Sequence, residues 1–233
     1  MRRALTFAVL SAITIATTAC GSAADSADGP RHSSPGQHPL TEEQLTKALP
    51  DGNELVGFTT VPQSLALLEA EDVVTTDKPA CRPIADMMSV RPKHVRRAMV
   101  WATIKPDNAP PEATPGSLTL TSHAVEEAEA WMAEIRKALA GCSQFTATSE
   151  RGWTHRFSVR PLPSAKVGDD SVTYLLTNPL APEAGGNAVT VVRTGGSFAT
   201  YLMSSDKGQP PPVPASIAKH QHRKLQTAST GSE

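Results

Sequence analysis

From Ser122 to Cys142, Val125, Ala128, Met132, Ile135 and Leu139 recur at three- and four-residue spacing, while Glu126, Glu127, Glu129, Glu134, Arg136 and Lys137 fall largely outside that stripe. The spacing predicts one amphipathic helix that buries a single face. Ser122 is placed to accept amide protons at its start, acids crowd its N-terminal half, bases its last turns, and Gly141 suits a left-handed residue beyond its end. Cys142 follows immediately.

Upstream, Thr41 and Gln44 have capping-box spacing and Leu40 and Leu45 that of a hydrophobic staple, so a short helix is expected to run to about Leu49 and stop at Pro50-Asp51-Gly52. Leu55–Thr59 reads as extended and Cys81–Met88 as a short helix with Pro83 in its first turn. Strands are expected at Ala98–Ile104, Ser117–Thr121, Phe145–Thr148, Gly152–Arg160, Ser171–Thr177 and Ala188–Arg193. Thr194-Gly195-Gly196-Ser197 reads as a hairpin turn into Phe198–Met203, and Pro214–Leu225 as a closing helix.

Along Gly152–Arg160 the alternation is strict: Trp153, His155, Phe157 and Val159 fall on one face and Thr154, Arg156, Ser158 and Arg160 on the other. That is the pattern of a sheet with one wet face. Strands in succession on both sides of a long helix predict an α+β fold, a twisted antiparallel sheet with helices packed mainly on one face around that helix.

The ends of the chain differ from its middle. Met1–Ala19 combines Arg2 and Arg3, an apolar stretch from Ala4 to Ala16 and small residues, the composition of an export signal and too short for a permanent membrane span. Thr17-Thr18-Ala19-Cys20 followed by Gly21-Ser22 resembles a bacterial lipobox, with Thr17 in place of the usual Leu, Val or Ile. On this reading Cys20 is the lipidated first residue of the mature protein, residues 20–39 form a flexible tether, 40–226 a single domain and 227–233 a disordered tail. The competing reading is an ordinary secretory peptide with an incidental cysteine.

Cysteine arithmetic agrees with lipidation: of Cys20, Cys81 and Cys142, the anchor would consume the first and leave a pair for an oxidising compartment. A Cys81–Cys142 bridge closes a long loop, for which chain entropy gives on the order of 4 kcal/mol. The expected address is the extracellular face of the cell membrane. A formal charge of -1, with 19% charged and 4% aromatic residues, gives no nucleic-acid footprint.

Candidate chemistry is sparse. His220 and His222, two apart on a helix, diverge by about 200° and do not readily share a metal ion; with Lys219, Arg223 and Lys224 they read as a solvated basic face complementing a helix C-terminus. Gly168-Asp169-Asp170 supplies too few oxygens for calcium and reads as a turn. Gly-x-Ser-x-Gly, His-Glu-x-x-His and Cys-x-x-Cys are all missing from the sequence, so no catalytic residue, metal or cofactor is assigned. Trp101, Trp131 and Trp153 read as core anchors rather than ligand platforms. Arg156, Arg160 and Arg193, on strands with apolar opposite faces, are the candidate anion-binding residues.

The order of elements over roughly Leu40–Leu225 resembles the PknH-like extracellular domain family, found as the outer sensor of some actinobacterial membrane Ser/Thr kinases and as free-standing lipoproteins. The resemblance rests on Trp131 near the middle of its helix, the ending Leu139-Ala140-Gly141-Cys142, Gly168-Asp169-Asp170 before a strand, Val191-Val192-Arg193-Thr194-Gly195 at a hairpin, and the closing helix. It implies an antiparallel sheet with helices around a cleft, no known catalytic residues and a ligand-sensing role. This sequence has no kinase domain or second membrane segment, and one possible bridge where the kinase sensor has two.

The function expected is a membrane-anchored lipoprotein whose domain binds an extracytoplasmic small ligand or envelope protein without catalysis. The alternatives are a cell-envelope hydrolase whose site is assembled only by the fold, and a structural interaction module presenting a flat apolar patch.

Overall fold

The computed structural model describes residues 38–181, 185–205 and 208–231; Cys20, the export segment and most of the tether lie outside the described residues. Helix α1 (Glu42–Ala48) begins with the expected capping box: the Thr41 side chain accepts from the Gln44 amide at 3.2 Å and the Gln44 side chain from the Thr41 amide at 2.8 Å. Two donors that would otherwise be orphaned are thereby satisfied. Leu40 and Leu45 are both buried, as a staple requires.

The remaining elements are β1 (Phe58–Gln63), β2 (Val74–Thr76), α2 (Arg82–Ala85) between 3-10 turns at Pro79–Cys81 and Asp86–Met88, β3 (Ala98–Pro106), β4 (Gly116–Ser122), α3 (Val125–Gly141), β5 (Gln144–Ser149), β6 (Thr154–Leu162), β7 (Asp170–Thr177), β8 (Gly186–Thr194), β9 (Ser197–Ser205) and α4 (Ala215–Thr230). The strands form one sheet in the order β1-β3-β4-β9-β8-β7-β6-β5-β2, with every neighbouring pair antiparallel. The α+β class with an antiparallel sheet is therefore found.

The expectation of helices mainly on one face is corrected. On β8, Ala188 and Val192 belong to a core with Leu45, Leu55, Ile217 and Leu225, whereas Val189 and Val191 belong to a second core with Trp131, Met132 and Ile135. Successive strand residues point to opposite faces, so the two cores lie on opposite sides of the sheet. Helices α1 and α4 cover one side, over β3, β4, β8 and β9; α3 covers the other, over β6, β7 and β9, with α2 packed against it. Nor is there a single long central helix, since the 17 residues of α3 are matched by 16 in α4.

Helix ends also depart from the pattern. Ser122 does not cap α3, because it is the last residue of β4 and its hydroxyl donates to the Leu40 carbonyl at 2.6 Å. Gly141 lies inside the helix and Cys142 closes it with φ -105°. The closing helix continues past Leu225 to Thr230, through residues 227–230 expected in a tail, with the Thr227 and Thr230 hydroxyls bonded to the carbonyls of Arg223 and Gln226. Strands shift as well: the mixed stretch before Thr76 contains β2, and the first strand starts at Phe58 rather than Leu55.

The α3 stripe is broader than five residues. Val125, Ala128, Met132 and Ile135 are buried as expected, and Trp131 and Ala138 join them, while Leu139 is only partly buried. Cys142 bonds to Cys81 across a separation of 61 residues, tying the turn before α2 to the end of α3.

Trp131 is the hub of this side. Its indole N–H donates to the Pro83 carbonyl at 3.1 Å, His94 stacks on the ring at 5.8 Å, His123 meets its edge at 5.4 Å and the Arg96 guanidinium lies 5.2 Å from its centre. Both ring nitrogens of His94 face carboxylates of α3, Glu127 at 2.6 Å and Glu134 at 3.1 Å. Burial lowers the Arg96 pKa to about 10, with Asp86 opposing the shift, so it stays charged at neutral pH. His123 is fully buried, and that burial, with smaller contributions from Arg96 and His94, pushes its pKa down to about 4.

Two outcomes are expected. Met132→Asp puts an unpaired charge on the buried stripe and should destabilise by several kcal/mol, whereas Glu129→Ala on the exposed side should cost about 1 kcal/mol or less; comparable thermal melts for the two would mean that the opposite face is buried. His123 has a folded pKa below its unfolded value, so the stability its neutral form carries is present above about pH 6.5 and is lost as pH falls through about 4. Denaturant melts of wild type should therefore lose on the order of 3 kcal/mol more than His123→Asn across that window; parallel pH profiles would refute the assignment.

Candidate functional site

A roomy cleft arises from a mismatch in strand length. Strand β1 ends at Gln63, opposite Trp101, while β3 extends three residues further to Ala98. Past Gln63 the chain leaves the sheet, and a notch opens along β3 between α1 and the segment Ser64–Leu67. Its volume is about 610 Å3, against about 360 Å3 between α1 and α4 and about 310 Å3 at the ends of β6–β9.

The walls are mostly apolar. Leu49, Pro62, Leu65, Leu67, Met99 and Trp101 supply the surface, and Glu42 is the one charged residue among those lining it. The Trp101 indole N–H donates to the Leu65 carbonyl at 2.8 Å, which holds the departing segment across the ring. Leu65 itself is 77% exposed, and Trp101, Met99 and Val100 are half-buried. An apolar recess with a few polar groups at its rim, buttressed by a strand edge, suits a small molecule with an apolar body.

The arginine candidates do not assemble. Arg156 and Arg160 share a face of β6, as the alternation requires, and both are exposed; Arg160 is taken by the Gln209 side chain. Arg193 has the parity of Val189 and Val191 and therefore faces the α3 side, opposite to them. There it contacts Glu129 at 3.4 Å and Asp169 at 3.6 Å and donates to the Gly195 carbonyl at 3.1 Å. None of the three clefts is lined by Arg156, Arg160 or Arg193.

Other singled-out groups have structural employment. Gly168 sits at φ +78°, and a Cβ there would lie 2.4 Å from the Arg193 carbonyl oxygen, so the approach of the two backbones requires glycine. It delivers Asp169 to the Gly195 amide at 2.7 Å and Asp170 to Arg136, using both acids in the turn. His220 bonds Glu54 at 2.9 Å and His222 bonds the Thr194 hydroxyl at 2.7 Å, so the two histidines diverge as their spacing implies. Burial, with Arg223 adding to it and Asp169 opposing, lowers the His222 pKa. Among the described residues, no three His, Cys, Asp or Glu side chains converge as a metal site.

Besides Thr194 and His222, a second hydroxyl–imidazole pair has the contact distance of a nucleophile and base, Thr121 Oγ1 to His123 Nε2 at 2.9 Å. Thr121 is 5% exposed and His123 is completely enclosed, and its second nitrogen meets the Val95 carbonyl rather than a carboxylate. It packs the core between Trp131 and Phe198.

Of Trp101, Trp131 and Trp153, all expected as core anchors, Trp131 alone is fully buried. The available signal for the cleft was the run Leu65-Ala66-Leu67-Leu68, apolar yet without helical or strand periodicity.

No family model and no curated protein matches the chain. Among solved structures, the fold is similar to the extracellular domain of PknH from Mycobacterium tuberculosis, with a TM-score of 0.53 and 13% sequence identity, covering 84% of this chain and 100% of that one. The likeness is one of fold: this chain has the architecture of an extracellular domain carried by that protein.

Proposed function

We propose that the domain is a non-catalytic, sensor-like binding module outside the cell membrane, and that the notch beside Trp101 receives a small ligand with an apolar body and a neutral or cationic polar end. The observation carrying this reading is the cleft of about 610 Å3, walled by Trp101, Met99 and Leu65–Leu67, with Glu42 at its rim. The carboxylate of Glu42 disfavours an anionic head group in that recess. The PknH likeness supports an extracytoplasmic setting, and the Cys81–Cys142 bridge is consistent with an oxidising one. The anchor of this reading is Cys20.

Nile red titrated into the protein should bind saturably and lose fluorescence on Trp101→Ala or Ala66→Trp, the first removing a wall and the second filling the recess, each weakening binding about tenfold, with Ala66→Trp leaving the melting temperature unchanged. Ala66 is exposed, so that substitution fills the recess with the Trp101–Leu65 hydrogen bond intact. Binding that is absent in wild type, or indifferent to both substitutions, would refute the site. For the anchor, labelling with an alkyne fatty acid should mark wild type and not Cys20→Ser, and equal labelling would remove the lipoprotein reading.

A further inference from the structure

A gathering of positive side chains lies elsewhere, between the end of α1 and the middle of α4. On α4, His220, Arg223, Lys224, Thr227 and Ala228 are spaced i, i+3, i+4, i+7 and i+8 and so share one face. Lys47 and Ala48 of α1 form the opposing wall, and together they bound the cleft of about 360 Å3. No acid is among the residues lining it.

The bases are unequally occupied. Gln221 Nε2 and Lys224 Nζ donate at 3.0 Å to the carbonyls of Ala48 and Leu49, completing the end of α1. Glu54 receives Lys224 at 2.8 Å and His220 at 2.9 Å. Burial pulls the Glu54 pKa up, but the hydrogen bonds from Lys224 and His220 outweigh it, and the carboxyl stays below its ordinary range. Lys47 is met by Glu43 at 2.7 Å on the exposed surface. The Arg223 side chain is exposed and, among the described residues, has no hydrogen-bond or ion-pair partner. Completing the end of α1 thus accounts for Lys224 and the Glu43 pair holds Lys47, which leaves Arg223 unexplained.

We propose that this cleft is an anion site for a phosphate-bearing molecule, with Arg223 forking two phosphate oxygens while Lys47 and Lys224 supply point charges from the two walls. The planar guanidinium matches phosphate geometry, and a lysine pair on opposite walls fixes the group between the helices. Both partners of the site are solvent-accessible, so binding should weaken as salt is raised. The site is separate from the apolar notch and does not rest on it. The shared chemistry fits a free phosphate ester or the phosphate of a lipid head group.

The test is calorimetric titration of inorganic pyrophosphate into the full-length protein, with sedimentation on phosphatidylcholine vesicles with and without phosphatidylglycerol, using Cys20→Ser protein so that no acyl chain contributes. Saturable binding should weaken about fivefold or more in Arg223→Ala and Lys47→Ala, recover only partly in Arg223→Lys, and be unchanged in Lys219→Ala, which removes the same charge from α4 outside the cleft. Binding of pyrophosphate without vesicle sedimentation assigns a free phosphate ester; phosphatidylglycerol-dependent sedimentation lost in Arg223→Ala assigns a lipid head group. Equal losses in Arg223→Ala and Lys219→Ala would reduce the cleft to diffuse charge and overturn the proposal. Failure of both probes to bind saturably would overturn it as well.

Discussion

The constraint on which the fold depends is that its middle strands must be dry on both sides. In β7, β8 and β9, Val172, Tyr174, Val189, Val191 and Phe198 point into one core and Ala188, Val192, Ala199, Tyr201 and Met203 into the other. A strand apolar on both faces cannot rest at a solvent boundary, so both surfaces must be covered. Helix α3 meets one demand, and α1 and α4 together meet the second. Strand β6, between β7 and β5, escapes it: only its α3-side residue Val159 is buried, leaving Arg156 and Arg160 in water.

On the α3 side, the loop Ser89–Arg97 is held by polar contacts. Glu127, Trp131 and Glu134 fall at i, i+4 and i+7 on α3, and His94 lies along that row with a carboxylate at each ring nitrogen. Lys93 also reaches Glu134, and Arg96 gathers the carbonyls of Asp86, Met87 and Ser89. Burial works against ionising Glu134, yet the hydrogen bonds from Lys93 and His94 leave its pKa below the usual carboxylate range. Charges so placed are costly to separate, because each lost partner leaves another group desolvated.

Local rules made several elements legible. The capping box at Thr41 and Gln44, the stripe on α3 and the β8–β9 hairpin all follow from spacing that a short window contains, and the Cys81–Cys142 pairing from a count of the cysteines. What the window lacks is the identity of the opposite surface. Ala188–Arg193 reads as a strand, yet nothing within it says which alternate residues will find α3 and which α4, so the arrangement of helices and the separation of Arg193 from Arg156 and Arg160 were hidden. Ser122 illustrates the same limit: its hydroxyl had a plausible local use and was claimed instead by Leu40, 82 residues away. The Trp101 notch is further still from local reading, since it exists because β1 stops before β3 does.

The two margins of the sheet carry a consequence of their own. An outermost strand offers unpaired amides and carbonyls to any similar strand that approaches. Here one margin, β1, contains Pro62, which has no amide to give, and the other, β2, is three residues long. Neither presents a long unbroken ladder on which a second molecule can template itself, so the protein is guarded against growth into fibrils by the brevity of one border and the missing proton of the other.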